Sequence, residues 1–254
     1  MFIDTHAHID YFKNPKRVVQ ESLAQGVGKI ILPGVEPDKF DTIISLIEQY
    51  DCVYGGIGVH PNDAHLFNKE AAKKMTELSE HPKIVAIGEI GLDYHHNPES
   101  AELQKEVFAT QLEIASAQRL PLMIHDRDAH DDVLEILKKY EVKNAIMHCF
   151  SGNIKLAREC VKMGMLLGIG GVVTFKNAKD LKTVVKEIPL ESIVLETDAP
   201  YLAPHPFRGE ENSPKYLNFI AKEIANLKDT SVEEVEDVTT QNALKFFNLK
   251  KQVS

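Results

Sequence analysis

The chain has 254 residues, 43% hydrophobic and 26% charged, an ordinary globular composition with enough apolar residues for a sizeable core. Its formal net charge of −9 excludes an extended, charge-driven footprint on duplex DNA, because proteins that grip long duplex by neutralising phosphates are basic. A nucleic-acid substrate is still compatible with that charge, since bound cations can supply positive charge locally.

Short apolar runs alternate with amphipathic segments along the whole sequence. The run 2–5 opens the chain, and a helical pattern follows over 15–25 until Gly26-Val27-Gly28 breaks it. KIILPG at 29–34 reads as a buried strand, short, β-branched and closed by Pro and Gly. The spacing then predicts helix 38–50 and strand 53–59, helix 69–80 and strand 84–87, helix 100–118 and strand 122–124, helix 129–140 and strand 145–147. Helix 154–163 leads to strand 166–169, and helix 179–186 to strand 193–195. A Pro-rich loop covers 200–214, and helices over 214–226 and 232–247 close the chain. Strands alternating with helices imply parallel pairing through crossovers. Eight such units predict an α/β fold, a (β/α)8 TIM barrel with an extra C-terminal helix, organised as one domain over 1–254. The rival is an open doubly wound sheet. It lacks its dinucleotide fingerprint, because the Gly168-Ile169-Gly170-Gly171 cluster has the wrong spacing for GxGxxG.

Cys52, Cys149 and Cys160 show no CxxC spacing and fit reduced thiols, with Cys149 expected in the core. No apolar run approaches the roughly 18 residues of a membrane span. MFIDTHAHID lacks the basic-then-apolar plan of a secretory signal, so the expected location is the cytoplasm.

The informative polar residues fall at strand ends, where barrel enzymes carry their chemistry. His6 and His8 follow the first strand, His60 the third, Glu89 the fourth, His125 the fifth, His148 the sixth and Asp198 the eighth. Any one of these histidines serves equally well as a hydrogen-bonded structural residue. Together, imidazoles and carboxylates make a donor set for borderline divalent ions, and there are enough of them for two.

These residues lie in recognisable motifs: FIDTHAHID at 2–10, GVHP at 58–61, GEIGLDY at 88–94, IH at 124–125, HCFSG at 148–152 and ETDAPYL at 196–202. In this order they resemble the TatD family of metal-dependent deoxyribonucleases, within the amidohydrolase-like superfamily. The resemblance spans nearly the whole chain and is weakly diagnostic only beyond about residue 231. It implies a TIM barrel and a two-metal site. His6, His8 and Asp198 would hold one ion, His125 and His148 the other, with Glu89 as the bridge. Relatives that open cyclic amides often use a carboxylated lysine as that bridge; Glu89 fits the TatD branch. One departure is Asp126-Arg127, where the family commonly has Ser followed by Arg. Asp126 either weakens phosphate approach or faces Arg127.

The activity so implied is a 3'-5' exonuclease-like phosphodiesterase using a metal-activated water, with Zn, Mn, Ni, Co or Mg as the two divalent ions. Asp198 is the expected general base. His60, Tyr94, Arg127 and Arg208 are expected to bind substrate, Arg208 through bidentate phosphate contacts; Tyr94 and Phe175 can stack on a base. Glu196, two residues before Asp198, is expected to orient a ligand histidine. The acidic surface and a recessed barrel mouth favour single-stranded or frayed DNA ends. Cleavage of a C–N or ester bond in a small metabolite is the alternative, and a non-catalytic metal-binding module a third reading.

Overall fold

A computed structural model describes residues 1–250. Among them, the strands are β1 (Phe2–Asp4), β2 (Val27–Leu32), β3 (Val53–Ile57), β4 (Ile84–Asp93), β5 (Leu122–Arg127), β6 (Ala145–Met147), β7 (Leu166–Ile169) and β8 (Ile193–Leu195). They form one 8-stranded sheet in strict chain order, in which β1–β2, β3–β4, β4–β5, β5–β6 and β7–β8 pair in parallel. The helices α1 (Pro15–Ala24), α2 (Phe40–Gln49), α3 (Lys69–Leu78), α4 (Ala101–Gln118), α5 (His130–Lys139), α6 (Ile154–Lys162), α7 (Lys179–Glu187) and α8 (Leu217–Lys228) fall after successive strands, and α9 (Val232–Phe246) follows as the extra C-terminal helix. This is the expected (β/α)8 barrel.

The chain separates into two compact units. The first comprises, among the described residues, Met1–Leu32, Cys149–Lys162 and 166–250. Here β1 meets β8: the Thr5 amide donates to the Leu195 carbonyl at 3.0 Å, the Asp198 amide to the His6 carbonyl at 2.9 Å, and Ala7 bridges Ala199. Local chemistry starts the helices. Asn14 caps α1 through the Arg17 amide with Pro15 in the first turn, and Ser231 caps α9 through the Glu234 amide. Both α8 and α9 lay buried faces, Ile220 and Ile224, Val235 and Leu244, toward β1 and β8.

The second unit comprises Pro33–His148 with Met163–Met165. Asn68 caps α3, and α4 ends where Arg119 turns into the left-handed region. The strand β4 corrects the expected 84–87: all ten of its residues are buried, and it runs on through Glu89 to Asp93. In the sequence, Gly88, Glu89 and Gly91 interrupt the apolar run. In the structure Gly91 instead permits close approach, since a Cβ there would lie 2.0 Å from the His125 carbonyl oxygen. β5 likewise continues past residue 124 to Arg127, so Glu89 and His125 lie within strands, not after them. No helix of the described residues is long and apolar enough to cross a membrane.

Candidate metal centre

In the first unit, His6, His8 and Asp198 come together, with one ligand atom from each within 4.8 Å of the others. The Asp198 Oδ1 lies 3.6 Å from His8 Nε2 and 3.9 Å from His6 Nε2. Two donors sharing a tetrahedral ion at ordinary bond lengths sit about 3.4 Å apart, so these gaps suit a shared ion better than a hydrogen bond. Asp198 is aimed by a left-handed backbone, φ 55°.

Beneath this cluster lies a carboxylate that sequence reasoning missed. Asp4 is fully buried, and its Oδ1 accepts from the amides of His6 (3.2 Å) and Thr197 (3.0 Å) while Oδ2 accepts from the Thr197 hydroxyl (2.6 Å). Burial pushes the Asp4 carboxyl up to about 7 against the pull of those hydrogen bonds. Asp4 therefore ties the His6 segment to the Asp198 segment. Buried Asn212 adds a second tie, its amide donating to the carbonyls of Thr197 (2.7 Å) and Tyr201 (2.5 Å). The spacing in DTHAH carried a signal, because positions 4, 6 and 8 share one parity.

In the second unit Glu89 is the hub. Its Oε1 lies 2.5 Å from His125 Nδ1, 3.5 Å from His60 Nε2 and 3.7 Å from His148 Nε2. The other face of His125 meets Asp93, with Nε2 to Oδ2 at 3.3 Å. Burial pulls the His125 imidazole down, yet hydrogen bonds to Asp93 and Glu89 outweigh it and hold it at about 9. Burial pushes Asp93 up, but His125 and the amide and ring of His96 hold it well below the usual carboxylate range. His60 is pulled below its ordinary value by burial and then by the neighbouring His125. His60, Asp93 and His125 also form a mutually close ligand group. Asp93 was not foreseen. Glu89, Gly91 and Asp93 share one parity along β4, and that signal disappears if the strand is ended at residue 87.

The remaining predicted residues divide. Tyr94 has its hydroxyl occupied, donating to Asp132 at 2.6 Å; burial and that carboxylate raise it to about 12. Arg127 is exposed at the end of β5. Arg208 is exposed and lies over the Phe175 ring, 4.4 Å from its centroid. Asp126 does not resolve as a choice between substrate and Arg127, since its Oδ2 pairs with His130 Nδ1 at 2.7 Å. Glu196 accepts from the amide of Cys149 at 2.6 Å, so it fixes the backbone beside His148. Cys149 is half-buried, not core. Its left-handed backbone, φ 45°, breaks the alternation on which that expectation rested, and its thiol lies within 4.8 Å of the Asp198 carboxylate. Cys52 and Cys160 are buried.

Comparison with known proteins decides the family. The model of the TatD-related DNase family matches residues 3–248. The chain belongs to this family. It is 45% identical over 254 residues to the uncharacterized metal-dependent hydrolase YabD of Bacillus subtilis, covering 98% of this chain and 100% of the relative. It is 33% identical to the uncharacterized metal-dependent hydrolase TatD of Mycobacterium tuberculosis, covering 97% and 98%. The crystal structure of YjjV, a TatD homologue from Escherichia coli K12, superposes with a TM-score of 0.94 at 30% identity, over 98% of each chain. The protein is thus a metal-dependent hydrolase of the TatD family. The imidazole and carboxylate donors of His6, His8 and Asp198, at the spacing of ligands to a shared ion, fit that dependence.

Proposed function

We infer that this TatD-family hydrolase is a cytoplasmic deoxyribonuclease that cleaves phosphodiesters at single-stranded or frayed DNA ends, with 3'-5' exonuclease-like action. The observation that carries the reading is the donor chemistry: mixed histidine and carboxylate clusters at strand ends and in the last turns of strands, in a chain of the TatD-related DNase family. His6, His8 and Asp198 would hold one divalent ion, and Glu89, His125 and His148 would hold another. The whole chain acts as one catalytic domain. When bound, two divalent ions lower the pKa of water and neutralise charge on phosphate oxygens.

The chain's own groups do the rest. Asp198 accepts the proton from the attacking water at its carboxylate, the role its exposure to the cluster supports. Exposed Arg208, held over Phe175, supplies a planar fork for a phosphate, and Arg127 and His60 add further polar contacts. Tyr94 contributes its ring more than its hydroxyl, which Asp132 occupies.

The test is digestion of end-labelled single-stranded DNA by wild type and His6→Ala, in Mn²⁺, Zn²⁺ or EDTA, beside a panel of cyclic amides and carboxylic esters. Metal-dependent release of mononucleotides by wild type alone is the expected outcome. Turnover of an amide with no DNA cleavage would replace this reading with the C–N alternative.

A further inference from the structure

Most large apolar side chains of the described residues are buried, and the exposed exceptions are few: Met1, Leu23, Leu103, Tyr201 and Leu202. Tyr201 and Leu202 are consecutive, 52% and 40% exposed, and follow Asp198 by three and four residues. Adjacent exposed apolar groups beside a polar cluster need a reason, because exposing them forgoes burial free energy.

Their backbone is not loose. The Tyr201 amide donates to the Asp198 carbonyl at 2.9 Å, and the Tyr201 carbonyl accepts from buried Asn212 at 2.5 Å. The Leu202 carbonyl packs against Gly171 so tightly that a Cβ there would lie 2.2 Å from it. The His205 amide, farther along the loop, donates to the Thr174 hydroxyl at 2.8 Å. A pinned backbone therefore holds exposed side chains in place. Around the Tyr201 ring the neighbours are aromatic: Tyr11 at 6.4 Å and His8 at 6.3 Å, both edge-on, while Tyr11 and His8 stack at 5.1 Å with 11° between their planes.

We propose that Tyr201 and Leu202, backed by Tyr11, form a shelf that takes the terminal nucleobase of a single DNA strand beside Asp198. A ring face and an aliphatic side chain offer stacking without base-edge hydrogen bonds, so the shelf accepts any base. A preorganised platform loses little entropy when the base docks. The assignment rests on the phosphodiesterase reading for the identity of the planar ligand. It differs from that reading in what it demands of the substrate: a base at the end, not only a phosphodiester.

The test uses the full chain and a single-stranded oligonucleotide carrying 2-aminopurine at its 3' end, with a matched oligonucleotide whose terminal nucleotide is abasic. Binding is read in EDTA by quenching of 2-aminopurine fluorescence, and cleavage is read in Mn²⁺. Wild type and Tyr201→Phe quench the probe. Tyr201→Ala weakens binding and raises KM roughly 5- to 150-fold, with kcat nearly unchanged. The abasic-ended strand is cleaved equally by wild type and Tyr201→Ala. Quenching and KM unchanged in Tyr201→Ala overturn the shelf, and so does a wild type that does not quench; DNA cleavage in either case leaves the phosphodiesterase reading standing. A wild type that quenches the probe but cleaves neither strand supports the shelf and sinks the nuclease assignment instead.

Discussion

The two ligand clusters are built by different means. In the first unit, His6, His8 and Asp198 sit on short strand ends and turns, held by backbone hydrogen bonds and the buried Asp4–Thr197 and Asn212 ties. In the second, Glu89, Asp93 and His125 lie inside long strands and hold one another through their side chains. The first cluster is held through the backbone of its segments. The second has its charges satisfied internally: Glu89 and His125 at 2.5 Å must part by about an ångström to share an ion. Backbone scaffolding fixes position, whereas side-chain pairing couples position to protonation.

The largest expected effect tests the first cluster's chemistry. Asp198→Asn should lose roughly 10²- to 10⁴-fold in kcat, the share a positioned base contributes, while its melting temperature stays near wild type. Full activity in Asp198→Asn would falsify its role as base. Asp4→Ala strikes the scaffold instead. It strands the buried amides of His6 and Thr197 and the Thr197 hydroxyl, at a cost on the order of 3 kcal/mol. Urea denaturation should show that loss; a midpoint equal to wild type would mean backbone pairing alone holds the segment.

The contrast also explains what sequence can show. All eight strands, the helices between them and the C-terminal helix follow from the alternation of apolar runs with amphipathic segments and from Gly and Pro breaks. His6, His8 and Asp198 were legible as well, since they follow short strands that end where their apolar runs end. Asp93 was not, because Gly88 and Gly91 hide the continuation of β4, and what they permit is a close approach to β5 that only the folded chain displays. Asp4 was hidden differently. It resembles any strand-end aspartate until Thr197, distant in sequence, folds onto it. Asp126 failed more locally: its partner His130 lies four residues on, at the first position of α5, and only the turn between β5 and α5 brings the two together.

Asp93→Asn sharpens the comparison at the second cluster. The carboxylate accepts from the His125 ring, and an amide of the same shape weakens that hold without emptying the space. Metal affinity should fall about 10- to 100-fold, measured as bound ion per chain after dialysis against graded Zn²⁺, with thermal stability of the metal-free protein little changed. Loss of stability with unaltered metal binding would make Asp93 a structural carboxylate only.

The smallest effect isolates the dependence of the second cluster's surroundings on protonation. His130 is raised above its ordinary value of 6.5, first by its hydrogen bond to Asp126 and against the opposing effect of burial. A histidine whose folded value is raised stabilises fully below about 6.5, and that contribution fades as pH climbs through the raised value. The pair is partly exposed, so its worth is under about 1 kcal/mol. Melting temperatures of wild type and His130→Gln should therefore differ most near pH 5.5 and converge toward pH 9. A gap independent of pH would show that Asp126 holds His130 as a neutral ring.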